Sequence, residues 1–192
     1  MKMDNKFLEH VMTSGEAAMH AINQKKFGET FFHLGPERDI SVFEKVKDNR
    51  TDLNNCDFIL CTGLFDDHDE DLNFYKNLFE RHLKKKMICT NPDLIVDRGS
   101  IRELCAGSVA IVFEKMGGDV IYFGKPYPEV YNQSIQTKEK KIIAIGDNLN
   151  TDIKGANNMN YDSLIITNGI HKNEFKKEGV EKILKKYNVV ST

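Results

Sequence analysis

Two aspartates and a lysine stand where the chain could bind a cation and a phosphate group. Asp147 follows the apolar run at 142–145, and Asp152 comes five residues later in the stretch IGDNLNTDIKGA. Mg²⁺ takes carboxylate oxygens, water and substrate phosphate as ligands. Lys125 follows an apolar run and a glycine in YFGKPYPEVY, where an ammonium group could bind a phosphoryl oxygen. The pattern predicts half of a phosphoryl-transfer site, while a helix-capping Asp152 and a solvated Lys125 remain open alternatives.

The secondary-structure pattern predicts an α/β fold that would bring these residues together. Short β-prone runs alternate with amphipathic segments, which is typical of a mostly parallel sheet covered by helices. Strands are predicted at residues 31–34, 57–61, 87–90, 120–123, 142–145 and 163–167. Helices are predicted at residues 16–26, 71–85, 101–116, 128–135, 151–159 and 181–187. Ligands of open parallel sheets bind beyond the carboxyl ends of the strands, so Lys125 and Asp147 are expected to share one cleft.

Composition narrows the classes of partner. The 192 residues include 27 basic and 29 acidic side chains, for a net charge of −2. Such a chain has no global positive field, so we expect neither a nucleic-acid partner nor an anionic membrane partner. No apolar run approaches the length of a membrane-spanning helix, and the first residues lack the apolar stretch of a signal peptide. These features predict a cytoplasmic protein.

The cysteines and histidines favour structural roles. The four cysteines form no C-x-x-C pair and lie in or beside apolar segments, so we expect free thiols in the core and a reducing compartment. The six histidines share no metal-ligand spacing such as H-E-x-x-H, which disfavours zinc. His171, beyond the last predicted strand, is interpreted as a solvated loop residue rather than a residue of the cleft.

The order and spacing of the motifs resemble those of a known family. GKP at 124–126, followed by GDxxxTDIxGA at 146–156, strongly resembles the third and fourth motifs of the haloacid dehalogenase-like (HAD) phosphohydrolases. Further segments resemble the cap of subfamily IIA, the nitrophenylphosphatase-like group: VMTSGEAA at 11–18, HLGPERD at 33–39, CTGLFDD at 61–67, TNPDLIVDRG at 90–99 and CAGSVA at 105–110. The resemblance therefore covers nearly the whole chain.

The resemblance implies a two-part fold. It predicts part of a HAD Rossmann-like parallel-sheet core together with an α/β cap domain of the C2 type. Residues 1–15 would be a residual edge strand of the core, residues 16–118 the cap, and residues 119–192 the C-terminal half of the core.

The resemblance also implies an activity, the Mg²⁺-dependent hydrolysis of a phosphate monoester through an aspartyl-phosphate. Lys125 would steady the phosphoryl oxygens. Asp147 would bind the Mg²⁺, and Asp152 would hold it directly or through water. Asn91 and Asp93 would lie near the leaving group of a small phosphorylated metabolite and help to select it.

The nucleophile that the resemblance requires is not found. Family members carry it in an Asp-x-Asp motif directly after their first strand, with a Ser or Thr motif following the next strand. This chain begins with a segment that resembles a later part of the family. The Asp-x-Asp patterns at 67–69 and 69–71 precede an amphipathic helix, where acidic residues favour the first turn, and are interpreted as a helix start.

Three interpretations of the missing nucleophile stay open. The chain could be the C-terminal half of a split enzyme, completed by a separate N-terminal chain that pairs with its bare strand edge; a homo-oligomer is the alternative partner. It could also be a non-catalytic remnant, or a module that only binds. In each case we expect the isolated chain to be inactive.

Overall fold

The computed structural model describes residues 11–68, 70–98, 101–135 and 141–191. The chain divides into two compact units, residues 1–124 and residues 125–192. Both contain parallel strands connected through helices, so the predicted α/β class with a parallel sheet is confirmed.

The first unit is built on a parallel sheet. Its strands are β1 (Phe31–Leu34), β2 (Phe58–Cys61), β3 (Lys86–Cys89), β4 (Ile95–Arg98), β5 (Ile101–Leu104) and β6 (Asp119–Tyr122). Its helices are α1 (Ser14–Asn23), α2 (Leu72–Phe79) and α3 (Ala106–Lys115), with 3₁₀ turns at Glu37–Val42 and Glu44–Asn49. Four strands form a parallel sheet in the order β1-β2-β3-β6, and β4 pairs with β5 in an antiparallel hairpin.

Aromatic side chains fill the core of the first unit. All four residues of β2 are buried, as expected for a strand in the middle of a parallel sheet with covered faces. The rings of Phe31 and Phe58 stack at 5.8 Å on neighbouring strands. Phe79 of α2 meets Phe113 of α3 edge to face at 5.0 Å, which joins the two helices. The predicted strands at 31–34, 57–61 and 87–90 are thus confirmed within a residue or so.

The helix predicted at 101–116 is wrong in its first turn. Residues 101–104 form β5, and Cys105 keeps an extended backbone with φ −112° and ψ 173°. The Cys105 N–H donates to the Leu94 carbonyl at 2.9 Å, which binds this junction to the hairpin. Four residues are too few for their period to separate strand from helix, and the hairpin was missed for this reason.

The start of the described chain is helical rather than a strand. Thr13 caps α1, with its Oγ1 accepting from the Glu16 N–H at 3.1 Å and Glu16 Oε2 accepting from the Thr13 N–H at 3.3 Å. This reciprocal capping box fixes the beginning of the helix. The edge strand predicted within residues 1–15 is therefore not found at 11–15, and residues 1–10 lie outside the described residues.

The division between the units follows strand pairing. β6 pairs with β3 in the sheet of the first unit, whereas the predicted boundary near Gly118 assigned residues 119–123 to the second domain. The first unit extends to Gly124, so it keeps the strand that leads to Lys125. The assignment of the units as cap and half-core stays a prediction.

The second unit is a smaller α/β layer. Its elements are α4 (Pro128–Ser134), β7 (Ile143–Gly146), a π-helical turn (Leu149–Ile153), α5 (Lys154–Asn158), β8 (Asp162–Ile165), α6 (Lys172–Glu178) and α7 (Val180–Tyr187). β7 and β8 pair in parallel. The buried core of this unit comprises Leu149, Ile153, Ile165, Phe175, Ile183 and Val189. Ile143 and Ile145 of β7 remain 55% and 64% exposed, so one apolar face of the pair is uncovered.

Helix α6 was not predicted, and the interpretation of His171 as a solvated residue is wrong. The segment KNEFKKE has a single apolar residue, Phe175, and so lacks a visible helical period. His171 is only 7% exposed, and its Nδ1 lies 2.9 Å from Glu174 Oε1. Its ring packs against Tyr187 of α7 at 4.9 Å. His171 therefore joins α6 to α7.

The predicted thiol roles hold in the structure. Cys56, Cys61 and Cys89 are buried and free, and Cys105 is free and half-buried. Within the described parts of the chain, no helix is both long enough and apolar enough to cross a membrane.

Candidate functional site

Asp152 is the centre of the site in the second unit. It lies in the π-helical turn that follows β7, and its side chain is only 13% exposed. Its Oδ2 accepts from the backbone N–H groups of Asp147 and Asn148 at 3.2 and 3.1 Å. The carboxylate therefore closes the loop after β7 onto the first turn of the following helix.

Lys125 pairs with the other oxygen of the same carboxylate. Its Nζ donates to Asp152 Oδ1, while the lysine side chain stays 53% exposed. A lysine held by an aspartate on one side and open to solvent on the other can still donate to a further anion, because an ammonium group has three donors. The structure thus brings together Lys125 and Asp152, two of the residues predicted from sequence.

Asp147 is held from the loop that follows β8. Its Oδ2 accepts from the Ile170 N–H at 3.1 Å, and the residue is half-buried. No partner of its Oδ1 is found among the described residues. Since β7 and β8 are parallel, both loops lie at the same edge of the pair, and one oxygen of Asp147 remains for a ligand there.

Two glycines leave room for these carboxylates. A Cβ on Gly146 would lie 2.3 Å from the Asp152 Cγ, and a Cβ on Gly169 would lie 2.2 Å from the Asp147 Oδ2. Neither distance is compatible with a side chain, so both glycines are required by close approach. Gly146 belongs to the fourth motif, whereas Gly169 and Ile170 were missed as residues of the site. Their signal in the sequence is an Asn-Gly turn directly after a predicted strand.

Tyr131 of α4 lies close enough to Asp152 to be affected by its charge. Burial, with a smaller contribution from the charge of Asp152, raises the pKa of its hydroxyl to about 12. That hydroxyl is buried without a hydrogen-bond partner in the part of the chain that the structure describes. Tyr131 therefore remains neutral and offers no charge to a ligand.

Asn91 and Asp93, the residues predicted to select substrate, lie in the first unit directly after β3. The Asn91 Oδ1 accepts from the Asp93 N–H at 3.1 Å, which forms a tight turn. Asn91 is half-buried and Asp93 is exposed. Their role in selecting substrate stays a prediction.

Asp71, at the end of the acidic stretch, begins helix α2. Asp71 caps α2, with its Oδ1 accepting from the N–H groups of Asn73 and Phe74 at 3.0 and 3.2 Å. This confirms the helix-start interpretation for Asp71. The Asp67 side chain is 81% exposed, and Asp69 lies outside the described residues.

The two aspartates fit a hard divalent cation as a partial ligand set. Asp147 keeps a carboxylate oxygen for direct coordination, and Asp152 is near enough in the chain to hold a coordinated water. Mg²⁺ commonly takes one or two carboxylates and fills its other positions with water and substrate phosphate. No group of three or more His, Cys, Asp or Glu suited to a metal occurs within residues 11–68, 70–98, 101–135 and 141–191, so the protein would leave several positions to other ligands.

Comparison with known proteins supports the interpretation of the motifs. Residues 122–189 match the family model described as HAD-hydrolase-like. A haloacid dehalogenase-like hydrolase from Brucella suis 1330 is 31% identical, with a TM-score of 0.72, over 84% of this chain and 65% of that protein. The 4-nitrophenylphosphatase from Thermotoga maritima is 27% identical, with a TM-score of 0.63, over 88% of this chain and 66% of that protein.

A curated relative extends the comparison to a phosphatase named for its substrate. The dihydroxyacetone phosphatase of Corynebacterium glutamicum (strain R) is 29% identical over 89 residues, which are 44% of this chain. The matched region spans about a third of that relative, at 32% of its length. Together with the parallel α/β fold and the two C-terminal motifs, these similarities show that the chain resembles the haloacid dehalogenase-like hydrolases, with nitrophenylphosphatases among the proteins that it resembles.

Proposed function

We propose that this chain provides the cation-binding and phosphate-binding part of a phosphatase site, and that the substrate is a small phosphorylated metabolite. The observation that carries the proposal is the pairing of Lys125 with Asp152 beside the loop that holds Asp147. One ammonium group and one open carboxylate oxygen at the carboxyl end of a parallel strand suit a phosphate that arrives with a cation.

Each residue of the site has a distinct role in this proposal. Lys125 binds a phosphoryl oxygen and offsets the negative charge that develops on it. Asp147 coordinates Mg²⁺, and Asp152 fixes Lys125 and holds the cation through water. Bound Mg²⁺ would supply positive charge opposite the phosphoryl oxygens.

The nucleophile comes from outside this sequence in our proposal. A carboxylate oxygen of the incoming aspartate would form a bond to phosphorus while the bond to the leaving-group oxygen breaks, and water would then hydrolyse the aspartyl-phosphate. The exposed Ile143 and Ile145 of β7 support a strand-bearing partner, because such an apolar face is stabilised when it is covered. β7 pairs only with β8 among the described strands, so one of its edges could accept a further strand.

The substrate class rests on the relatives. Their names specify nitrophenyl phosphate and dihydroxyacetone phosphate, both of which are small phosphate monoesters. We infer the same class for this chain, with Asn91 and Asp93 selecting the leaving group. A cytoplasmic location accords with the free buried thiols.

The first test is hydrolysis of p-nitrophenyl phosphate by the full chain with and without Mg²⁺. We expect no release of nitrophenol from the folded protein alone, because no nucleophile is in place. Release that disappears in Asp147→Asn would contradict this, and its loss in Asp67→Asn would assign the nucleophile to the exposed acidic turn.

The second test adds the missing part. We expect a separately encoded segment with Asp-x-Asp after an apolar strand to restore Mg²⁺-dependent hydrolysis when it is mixed with this chain, and Lys125→Ala to abolish the restored activity. A complex that forms but stays inactive would contradict the split-enzyme proposal and leave a binding module. Light scattering on the unmixed chain shows whether it forms a homo-oligomer, and loss of that oligomer in Ile145→Thr would place the contact at the β7 face.

A further inference from the structure

The turn that contacts Asp147 is fixed by one buried side chain. Residues 166–174 run from the end of β8 into α6 and are all described by the structure, and His171 is the one buried residue among them. The Ile170 side chain is 68% exposed, although its N–H is the donor to Asp147 Oδ2. The position of this donor therefore depends on the anchoring of the next residue, His171.

The backbone leaves little freedom between His171 and Asp147. The Lys172 N–H donates to the Gly169 carbonyl at 3.0 Å, which closes the turn around Ile170. A Cβ on Gly169 would lie 2.2 Å from Asp147 Oδ2, so the turn approaches the carboxylate closely. A shift of the backbone at His171 would therefore change the hydrogen bond between the Ile170 N–H and Asp147.

Glu174 holds the imidazole of His171. Its Oε1 lies 2.9 Å from His171 Nδ1 and accepts from the Tyr187 hydroxyl at 3.0 Å, while its Oε2 accepts from Lys186 Nζ at 3.1 Å. The hydrogen bonds from His171, Lys186 and Tyr187 lower the pKa of Glu174 to about 2, so its carboxylate is ionised at neutral pH and can only accept. The Nδ1 atom of His171 therefore carries the proton of this hydrogen bond.

The other nitrogen of the His171 ring has no polar contact. Its Nε2 is buried without a hydrogen-bond partner in the part of the chain that the structure describes, and the ring packs against Tyr187 and Phe175 at 4.9 and 6.4 Å. A buried polar atom without a partner costs free energy, and an apolar ring would pack here without that cost. The specific contribution of a histidine at this position is therefore the Nδ1–H bond to Glu174.

We propose that His171 is a positioning residue of the cation site. Anchored by Glu174, it keeps the Ile170 N–H on Asp147 Oδ2, so that Asp147 Oδ1 stays available to the cation. Groups that orient a metal-binding carboxylate commonly affect metal affinity without touching the metal. The effect on Mg²⁺ rests on the proposed function, whereas the link from His171 to Asp147 belongs to the protein without metal.

Hydrogen exchange of the Ile170 amide in the metal-free full chain tests this link. His171→Phe keeps an aromatic ring but removes the donor, and the amide should then exchange at least about tenfold faster, as the loss of one hydrogen bond to a charged group allows. His171→Asn should restore slow exchange, because its amide nitrogen can donate from the position of Nδ1. Ile183→Val, a core substitution in the same unit, should lower stability but leave the Ile170 rate unchanged.

Mg²⁺ titration followed by the amide shifts of residues 146–152 tests the consequence for the cation. We expect His171→Phe to raise the dissociation constant at least about tenfold, while His171→Asn and Ile183→Val should bind as the original protein does. Glu174→Gln removes the charge of the acceptor and should act in the same direction as His171→Phe. It provides the second variant if His171→Phe does not fold.

An Ile170 exchange rate that His171→Phe leaves unchanged would overturn the proposal. Equal effects of His171→Phe and Ile183→Val on exchange or on the dissociation constant would also overturn it, because His171 would then act only as a core residue. Failure of the original protein to bind Mg²⁺ would contradict the proposed function, and the exchange comparison would still decide whether His171 positions Asp147.

Discussion

The Asp152 carboxylate binds Lys125 through one oxygen and two backbone N–H groups through the other. It therefore orders both the cationic side chain and the loop that carries Asp147. Its position in the first turn of a helix also suited a simple cap, and the structure shows it acting on the loop as a cap does. The binding of cation and phosphate is additional to that role and belongs to our proposal.

The close approach of Gly146 to the Asp152 carboxylate predicts that a side chain at position 146 destabilises the protein. Gly146→Ala would place a Cβ 2.3 Å from the Asp152 Cγ, so the carboxylate must move. We expect the free energy of unfolding to fall by about 1 to 3 kcal/mol, as for other overpacked sites, measured by urea denaturation.

A matched substitution controls for the change of glycine to alanine. Gly15 lies in α1, and a Cβ there would meet only Val42 Cγ1 at 3.6 Å. Gly15→Ala should stabilise the protein by about 1 kcal/mol through helix propensity. Equal effects of the two substitutions would contradict the close approach that we describe at Gly146.

At the scale of elements, sequence patterns predicted the strands and helix starts that are determined by residues close together in the chain. The strands at 31–34 and 142–145 were recognised because apolar runs ended at turn residues, and Asp71 was recognised as a helix start. The hairpin of β4 and β5 was not, because its strands of four residues show no period. α6 was missed because it is held by the contacts of His171 and Phe175 with α7 and the core, which no local pattern reveals.

The contact between α6 and α7 predicts a pH dependence. Hydrogen bonds from His171, Lys186 and Tyr187, in that order of effect, lower the pKa of Glu174 from 4.5 to about 2. A carboxyl group with a lowered pKa in the folded state stabilises the protein above its unfolded pKa. This stabilisation should be complete above pH 4.5 and be lost as the pH falls through about 2.

Melting temperatures measured from pH 6 down to pH 2 would test the stabilisation by Glu174. This pH range includes both the unfolded pKa of 4.5 and the folded pKa of about 2. Glu174→Gln should lower the melting temperature at pH 6 and flatten its dependence on pH below 4.5. Glu181→Gln, an exposed residue of α7, should preserve the dependence of the original protein. An unchanged slope in Glu174→Gln would show that the contacts of Glu174 do not stabilise the fold.

At the scale of the molecule, the chain consists of two compact units. The family resemblance predicted the motifs of the second unit and the α/β fold of the whole. The first compact unit extends to Gly124, beyond the boundary predicted near Gly118. The difference arises because β6 pairs with β3, a long-range contact that local sequence patterns do not indicate.

The uncovered face of β7 predicts association. Ile145 is 64% exposed, so Ile145→Thr should change the free energy of unfolding by no more than about 0.5 kcal/mol. If the face binds a partner or a second copy, the same substitution should weaken that association in light scattering. Ile153→Ala, at a fully buried position of the same unit, should instead cost about 2 to 5 kcal/mol in stability.

The central claim, that Asp147 and Asp152 form a cation site beside Lys125, is tested most directly by Mg²⁺ titration of the full chain, followed by backbone amide NMR. We predict saturable shifts at residues 146–152 and 169–170 that disappear in Asp147→Asn. They should persist in Asp162→Asn, which changes a carboxylate at the opposite end of β8. A titration without saturable shifts at these residues, or one that Asp147→Asn leaves intact, would contradict the claim.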